Sequence, residues 1–250
     1  MIHADNIFKY FGNTPVVDGI CFTVQNGEIY GLLGPNGSGK TTIMKMIVGL
    51  LPLTRGKISY DTDVDDVITI KEMVGYVPES PILYESLTPY ELFDLIGKIR
   101  KLPKNILENK VNFLVRAFDI QKYCTQLVGT LSFGTKQKVS IITALLHDPP
   151  VLVLDEAMNG LDPKSARILR EFLSTYKEEG RSIVFSTHIL PLAEMVCDRI
   201  GVIHKGKLIA EGTVPQLKEV AHEKNLEDVF LKLTESKEDI KEILDALKGV

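Results

Sequence analysis

The sequence predicts an α/β fold, a mostly parallel sheet flanked by helices, with an antiparallel β subdomain and an inserted α-helical subdomain. Three observations predict it. Short apolar runs alternate with helical patterns, as they do when crossover helices join parallel strands. The N-terminal stretch reads instead as two longer strands around a tight turn. Between about residues 83 and 147 the strand pattern disappears and apolar positions recur at helical spacing. At 250 residues and 44% hydrophobic composition, the chain can bury a full core without disulfides or metals.

The elements follow in order. Ile2–Phe11 and Val16–Val24 flank Gly12-Asn13, as in an antiparallel pair. Ile29–Leu33, Val74–Val77, Val151–Leu154 and Ile183–Ser186 read as buried strands. Thr88-Pro89-Tyr90-Glu91 is a capping box with proline at the first helical position, and Leu92, Leu95, Ile96 and Ile99 follow it. Leu107, Val111, Leu114 and Phe118 make a second helical stripe. Arg199–His204 and Lys207–Glu211 flank Lys205-Gly206, a second hairpin. From about Pro215 the chain reads as helical, and Ser236-Lys237-Glu238-Asp239 caps a last helix through Ile240, Ile243, Leu244 and Leu247. The expected division is a core over 1–82 and 148–214, a helical subdomain over 83–147 and short C-terminal helices over 215–250.

Composition narrows the function. With 29 basic residues against 33 acidic and a net charge of −4, the chain has no electrostatic footprint for nucleic acid, and no nucleic-acid partner is expected. Cys21, Cys124 and Cys197 are odd in number and far apart, which predicts packed free thiols in a reducing compartment. The N-terminus carries no apolar signal-peptide core. The longest apolar stretch, around Val139–Leu146, is far short of the roughly 20 residues that span a bilayer. A membrane role is expected to come through a partner.

Gly34-Pro35-Asn36-Gly37-Ser38-Gly39-Lys40-Thr41 matches G-x-x-x-x-G-K-[ST] in full, with a strand before it and an apolar helical segment, Ile43–Val48, after it. The glycines let backbone N–H groups and the following helix dipole converge on phosphate. Lys40 supplies a point charge for the β- and γ-phosphates, and Thr41 supplies a hydroxyl ligand for Mg2+. Thr42 extends the phosphate-facing set. A chance match in a chain this long is on the order of one in a hundred.

Val151-Leu152-Val153-Leu154-Asp155-Glu156 is an apolar strand ending in two carboxylates. It suits Asp155 to Mg2+ and Glu156 to polarising water, although alone it could be a core strand before an acidic turn. Ser132, ahead of Phe133-Gly134-Thr135-Lys136-Gln137-Lys138, is an ordinary helix N-cap, and a capped helix start with small residues is also an anion site. Asn159-Gly160-Leu161-Asp162-Pro163 reads as a turn with Asp162 as cap. Ser186-Thr187-His188 closes an apolar strand; a lone histidine there is more often a surface group than a catalytic one.

Taken in order, the phosphate loop, Tyr76-Val77-Pro78-Glu79, LSFGTKQ, LVLDE, NGLDP and STH resemble the nucleotide-binding domains of ABC transporters. The resemblance runs from Tyr10-Phe11 to about Gly212. It implies a P-loop NTPase (RecA-like) core, Mg-dependent ATP hydrolysis, and a head-to-tail dimer with two ATP molecules at the interface. The second ATP-binding subunit would be another copy or a paralogue, and an integral membrane permease would complete the machine at the cytoplasmic face of the membrane. Carried over residue by residue, Phe11 would stack on adenine, with Tyr10 the alternative. Thr41 and Asp155 would serve Mg2+, joined by Glu79. Glu156 would be the base, and His188 would bond the γ-phosphate. Ser132 and Gly134 would close on the partner's γ-phosphate, and Asp162 would link the two sites. Residues after Glu79 would meet a coupling helix of the membrane subunit.

The sequence departs from the family pattern at Glu79 (usually glutamine), Phe133 (glycine), Thr135 (glutamine) and Ala157 (proline). Glu79, the relaxed signature and the tail Leu226–Leu233 resemble the ABC-2-type branch that exports drugs, peptides or other amphiphiles. Two alternatives stand beside it: a soluble ATPase of a cofactor-assembly machine, and a low-turnover module that dimerises on ATP.

Overall fold

The computed structural model describes residues 1–61 and 66–234. β1 (Ile2–Phe11) and β2 (Thr14–Val24) form the expected antiparallel pair, with Ile2 opposite Val24 and Phe11 opposite Thr14. β2 starts at Thr14 rather than Val16; Pro15 is tolerated because β2 lies at the edge of its sheet. β3 (Ile29–Leu33) is buried at every residue and leads through the phosphate loop into α1 (Lys40–Ile47).

Two elements follow that the sequence pattern does not announce. β4 (Arg55–Tyr60) is an edge strand whose first residues are exposed, so it shows no apolar run; its Ile58 pairs with Ala4. α2 (Val67–Met73) buries none of its residues and opens on a β-branched run that reads as strand. Asp66 holds it by accepting from the N–H groups of Ile68 and Thr69 at 2.9 and 3.0 Å.

β5 (Val74–Val77) precedes the helical lobe. α3 (Pro89–Ile99) starts on the expected capping box, with the Thr88 N–H donating to Glu91 Oε2 at 2.8 Å. α4 (Lys104–Ala117) and α5 (Phe133–Leu145) pack with α3 around buried Phe93, Leu107, Leu114, Phe118 and Val139. The core then resumes with β6 (Val151–Asp155), α6 (Pro163–Glu178), β7 (Ser182–Thr187), α7 (Leu190–Val196), β8 (Arg199–His204) and β9 (Lys207–Gly212). α8 (Val214–Ala221) and α9 (Leu226–Leu233) follow. The helix expected from Ser236 onward lies outside the described residues.

Among the described residues the larger sheet runs β5-β6-β7-β3-β8-β9, parallel except for β9, and the smaller runs β2-β1-β4. Alternation along the buried strands divides the interior in two. Tyr30, Leu32, Val151, Val153 and Val184 face the antiparallel sheet and α1, against Ile7, Phe22, Ile43 and Ile47. Ile29, Leu33, Leu152, Leu154 and Phe185 face the helices, against Leu114, Ile142 and Leu169. The same alternation corrects one expectation. Cys124 and Cys197 are buried, but Cys21 falls between inward-facing Ile20 and Phe22 and is exposed.

The helices α3, α4 and α5 share one continuous apolar layer with the sheet, and Phe93 is buried in it at 1% exposure. Phe93→Ala is expected to cost about 3–5 kcal/mol, read as a lower urea midpoint at unchanged slope. A cost below about 1 kcal/mol would mean that the lobe is not packed around this ring.

Candidate active site

The carboxyl ends of β3, β6 and β7 meet at one edge of the larger sheet, and each delivers one part of a cleft. After β3 the chain turns tightly into α1. Gly39 caps that helix at φ 111, and a side chain there would come within 2.8 Å of the Val16 carbonyl oxygen, so the position requires glycine. Lys40 is buried. Its Nζ donates to the carbonyls of Gly34 and Pro35 at 2.7 and 3.2 Å and lies 3.9 Å from Glu156 Oε1. Burial lowers the Lys40 pKa, while Glu156, Asp155 and Glu79 oppose that shift. Ser38 Oγ is buried without a hydrogen-bond partner.

β6 and β7 pair with Asp155 opposite Ser186. Ser186 Oγ donates to Asp155 Oδ1 at 2.6 Å and accepts the Glu156 N–H at 3.0 Å. Asp155 Oδ2 is buried and has no partner. Glu156 takes φ 48, a left-handed conformation that costs a non-glycine residue about 1–3 kcal/mol. The turn brings its carboxylate to Lys40 on one side and His188 on the other, with Oε1 3.0 Å from His188 Nδ1. Asn159 Nδ2 donates to the other oxygen at 3.5 Å.

The cleft has a volume of about 370 Å³. Of the residues expected at the site, Asn36, Gly37, Gly39, Lys40, Thr41, Thr42, Glu79 and Glu156 line it. Asp155 joins through its bonds at the floor, His188 through Glu156, and Gly34 and Pro35 by holding Lys40 from behind.

Tyr10 and Phe11 do not line it. Phe11 is 52% exposed at the hairpin end, with Lys9 Nζ 5.3 Å from its ring centroid, and Tyr10 stacks on Phe8. The apolar wall is Val16, which sequence reasoning missed because one valine in a strand carries no pattern. Ser186 was also missed as a working residue, although it stands in the same short run as His188.

Ser132, Gly134 and Asp162 lie outside this cleft. Ser132 Oγ caps α5 by accepting the Thr135 N–H at 3.4 Å, and Asp162 caps α6 through the Ser165 N–H at 2.9 Å. Asp162 also pairs with Lys138 at 2.7 Å, and this bond, with those from Ser165, holds its carboxyl well below the usual carboxylate range.

A second, largely apolar groove of about 560 Å³ begins where the first ends, since Thr41 and Glu79 line both. Asp155, Val48, Leu50, Ile82, Leu83 and Ile96 also line it, together with Lys45, Lys71 and Arg100.

The donor set suits a nucleoside triphosphate with a hard cation: loop N–H groups and Lys40 for the anion, the free Asp155 oxygen and the Thr41 hydroxyl for the metal. The family model for the ABC transporter matches residues 17–159. The chain belongs to the ABC transporter family. This ABC protein is 36% identical to the ABC-type transporter ATP-binding protein EcsA of Bacillus subtilis, over 92% of this chain and 94% of that relative. It is 36% identical to the bacitracin transport ATP-binding protein BcrA of Enterococcus faecalis, over 87% of this chain and 70% of that relative. A solved structure of an ATP-binding subunit of an ABC transporter superposes with a TM-score of 0.89 at 32% identity, covering 94% of this chain and 99% of that one. A dimeric ATP-binding cassette in a post-hydrolysis state, bound to ADP and Pi, shares the fold at a TM-score of 0.77 and 23% identity.

The chain is thus an ATP-binding, ATP-hydrolysing subunit of an ABC transporter, built on the P-loop NTPase fold that the sequence predicts. Among the described residues no helix is long and apolar enough to cross a membrane.

Ser186→Ala leaves Asp155 Oδ1 and the Glu156 N–H buried without their shared partner. The expected cost is about 1–3 kcal/mol, measured by denaturant unfolding. A variant as stable as the native protein would show that these bonds do not hold the strand ends.

Proposed function

We propose that this ABC subunit drives export of a drug, peptide or other amphiphile through a separate integral membrane permease, working at the cytoplasmic face of the membrane. The observation that carries the reading is that Glu79 lines both the nucleotide cleft and the apolar groove. A partner seated in the groove would therefore touch a residue that faces the nucleotide. The groove is apolar with Lys45, Lys71 and Arg100 among its lining, which suits a short amphipathic helix carrying acidic side chains. Similar ATP-binding proteins support the reading: besides the bacitracin transport protein they include a linearmycin resistance protein and a Nod factor export protein.

In this reading each ATP is shared by two subunits, the second being another copy of this chain or a paralogue. The loop Gly34–Thr41 wraps the phosphates, Lys40 turns from its carbonyl partners to the β- and γ-phosphates, and Thr42 faces the same group. Thr41, Asp155 and Glu79 would hold Mg2+, which would supply positive charge against the phosphates. Glu156 accepts a proton from the water whose oxygen attacks the γ-phosphorus, as the bond from that phosphorus to the bridging oxygen breaks. His188 orients Glu156 and reaches the γ-phosphate. Phe11, or Tyr10, stacks on adenine from the hairpin. Ser132 and Gly134 of the opposite subunit close on the γ-phosphate, and Asp162 joins the two sites.

Glu156→Gln keeps the side chain's shape and removes the base. Hydrolysis is expected to fall by about 10²–10⁴-fold while Mg-ATP drives a stable dimer on size-exclusion chromatography. A variant that stays monomeric and hydrolyses ATP at the native rate would remove Glu156 from this role.

A further inference from the structure

We infer that Phe133 is a positioning residue that ties the partner-facing end of α5 to this subunit's own Glu156. The inference rests on the shared-ATP dimer proposed above. Phe133 is the first residue of α5 and is 47% exposed, yet its ring is not idle. It covers Gly160: a methyl group on Gly160 would lie 2.5 Å from Phe133 Cδ1 and 2.6 Å from Cε1. On the other side, a methyl on Gly134 would lie 2.5 Å from the Gly160 carbonyl oxygen. The backbone at Gly160, at φ 74, is therefore packed closely against the first two residues of α5, the Phe133 ring and the Gly134 backbone.

Two further bonds from the start of α5 grip the same segment. Gln137, fully buried, donates from Nε2 to the Ala157 carbonyl at 3.0 Å. Lys138 pairs with Asp162 at 2.7 Å. The gripped segment begins at Glu156. Within it the Asn159 N–H donates to the Glu156 carbonyl at 3.0 Å, and the Asn159 side chain reaches the Glu156 carboxylate. Residues 157, 160 and 162 thus move with α5, and Glu156 is attached to them.

The consequence is specific to this chain's phenylalanine. Closure of the opposite subunit's nucleotide on Ser132 shifts the N-terminus of α5. Phe133 carries that shift to Gly160, and the loop carries it to Glu156. ATP bound across the interface then sets the base in this subunit's own site, which makes the two sites interdependent. Without the ring, Gly160 loses its cover, and only the bonds of Gln137 and Lys138 still tie the loop to α5.

The test uses the full chain as native protein, Phe133→Ala and Phe133→Tyr. Four readouts are taken: thermal unfolding, binding of a fluorescent ATP analogue, Mg-ATP-driven dimerisation, and ATPase rate against ATP concentration. Phe133→Ala is expected to keep its folding and nucleotide affinity while kcat falls about tenfold and the ATP dependence loses its sigmoidicity. Phe133→Tyr, which retains the ring, should restore both. If Glu156→Gln dimerises with Mg-ATP and Phe133→Ala matches the native kcat, the inference fails and the dimer reading stands. It fails also if Phe133→Tyr is as impaired as Phe133→Ala. If Glu156→Gln does not dimerise with Mg-ATP, the dimer reading falls and takes the inference with it.

Discussion

The site depends on one pairing, that of β6 with β7 in parallel with Asp155 opposite Ser186. The serine hydroxyl between the two strand ends donates to one carboxylate and accepts the N–H of the next residue. Those two bonds fix where Asp155 points and where the chain turns at Glu156. A slip of one residue would send Asp155 to the opposite face and leave the floor of the cleft without its carboxylate. Both strands are buried on both faces, so burial alone does not choose this register; the Ser186 bonds at their carboxyl ends do.

Three charged side chains, Lys40, Asp155 and Glu156, share this buried corner. Isolated, each would be costly to remove from water, so their mutual arrangement is what makes the corner tolerable. Lys40 satisfies itself on two carbonyls and the Glu156 carboxylate, and Glu156 shares its charge with His188. The satisfaction is incomplete. Ser38 Oγ and Asp155 Oδ2 have no partner, and Glu156 sits in a strained backbone conformation. Unpaired buried polar atoms and a strained residue in one cleft are what a site built for a ligand retains at the expense of stability.

Much of this was legible in the sequence because it rests on local chemistry. The glycine-rich loop, the apolar strand ending in Asp155-Glu156, and the caps at Thr88, Ser132 and Asp162 are each carried by residues close together in the chain, and their order along it chose between the readings that the strand and Ser132 left open. What was not legible depends on partners distant in sequence. β4 is a strand because β1 offers it an edge, not because its residues form an apolar run. Val16 lines the cleft because β2 passes beside the loop. Phe133 reads as a departure from a family pattern, and its cover of Gly160 appears only when α5 and the loop after β6 are brought together. The left-handed turn at Glu156 is likewise imposed by the strand pairing and has no glycine to announce it.

In the proposed dimer each hydrolytic site draws on two subunits: Ser132 lies outside its own chain's cleft and would serve the opposite nucleotide. Mixing two inactive variants tests this directly. Lys40→Met removes the phosphate charge, and Ser132→Arg obstructs the surface that meets the opposite nucleotide. If sites are shared, a mixed dimer gathers both defects into one site and leaves the other intact. The ATPase rate of the mixture should then exceed that of either variant alone while staying below the native rate, because the working Glu156 lies in the subunit whose Ser132 is obstructed. A mixture that hydrolyses no faster than the separate proteins, while still forming dimers, would contradict the shared site.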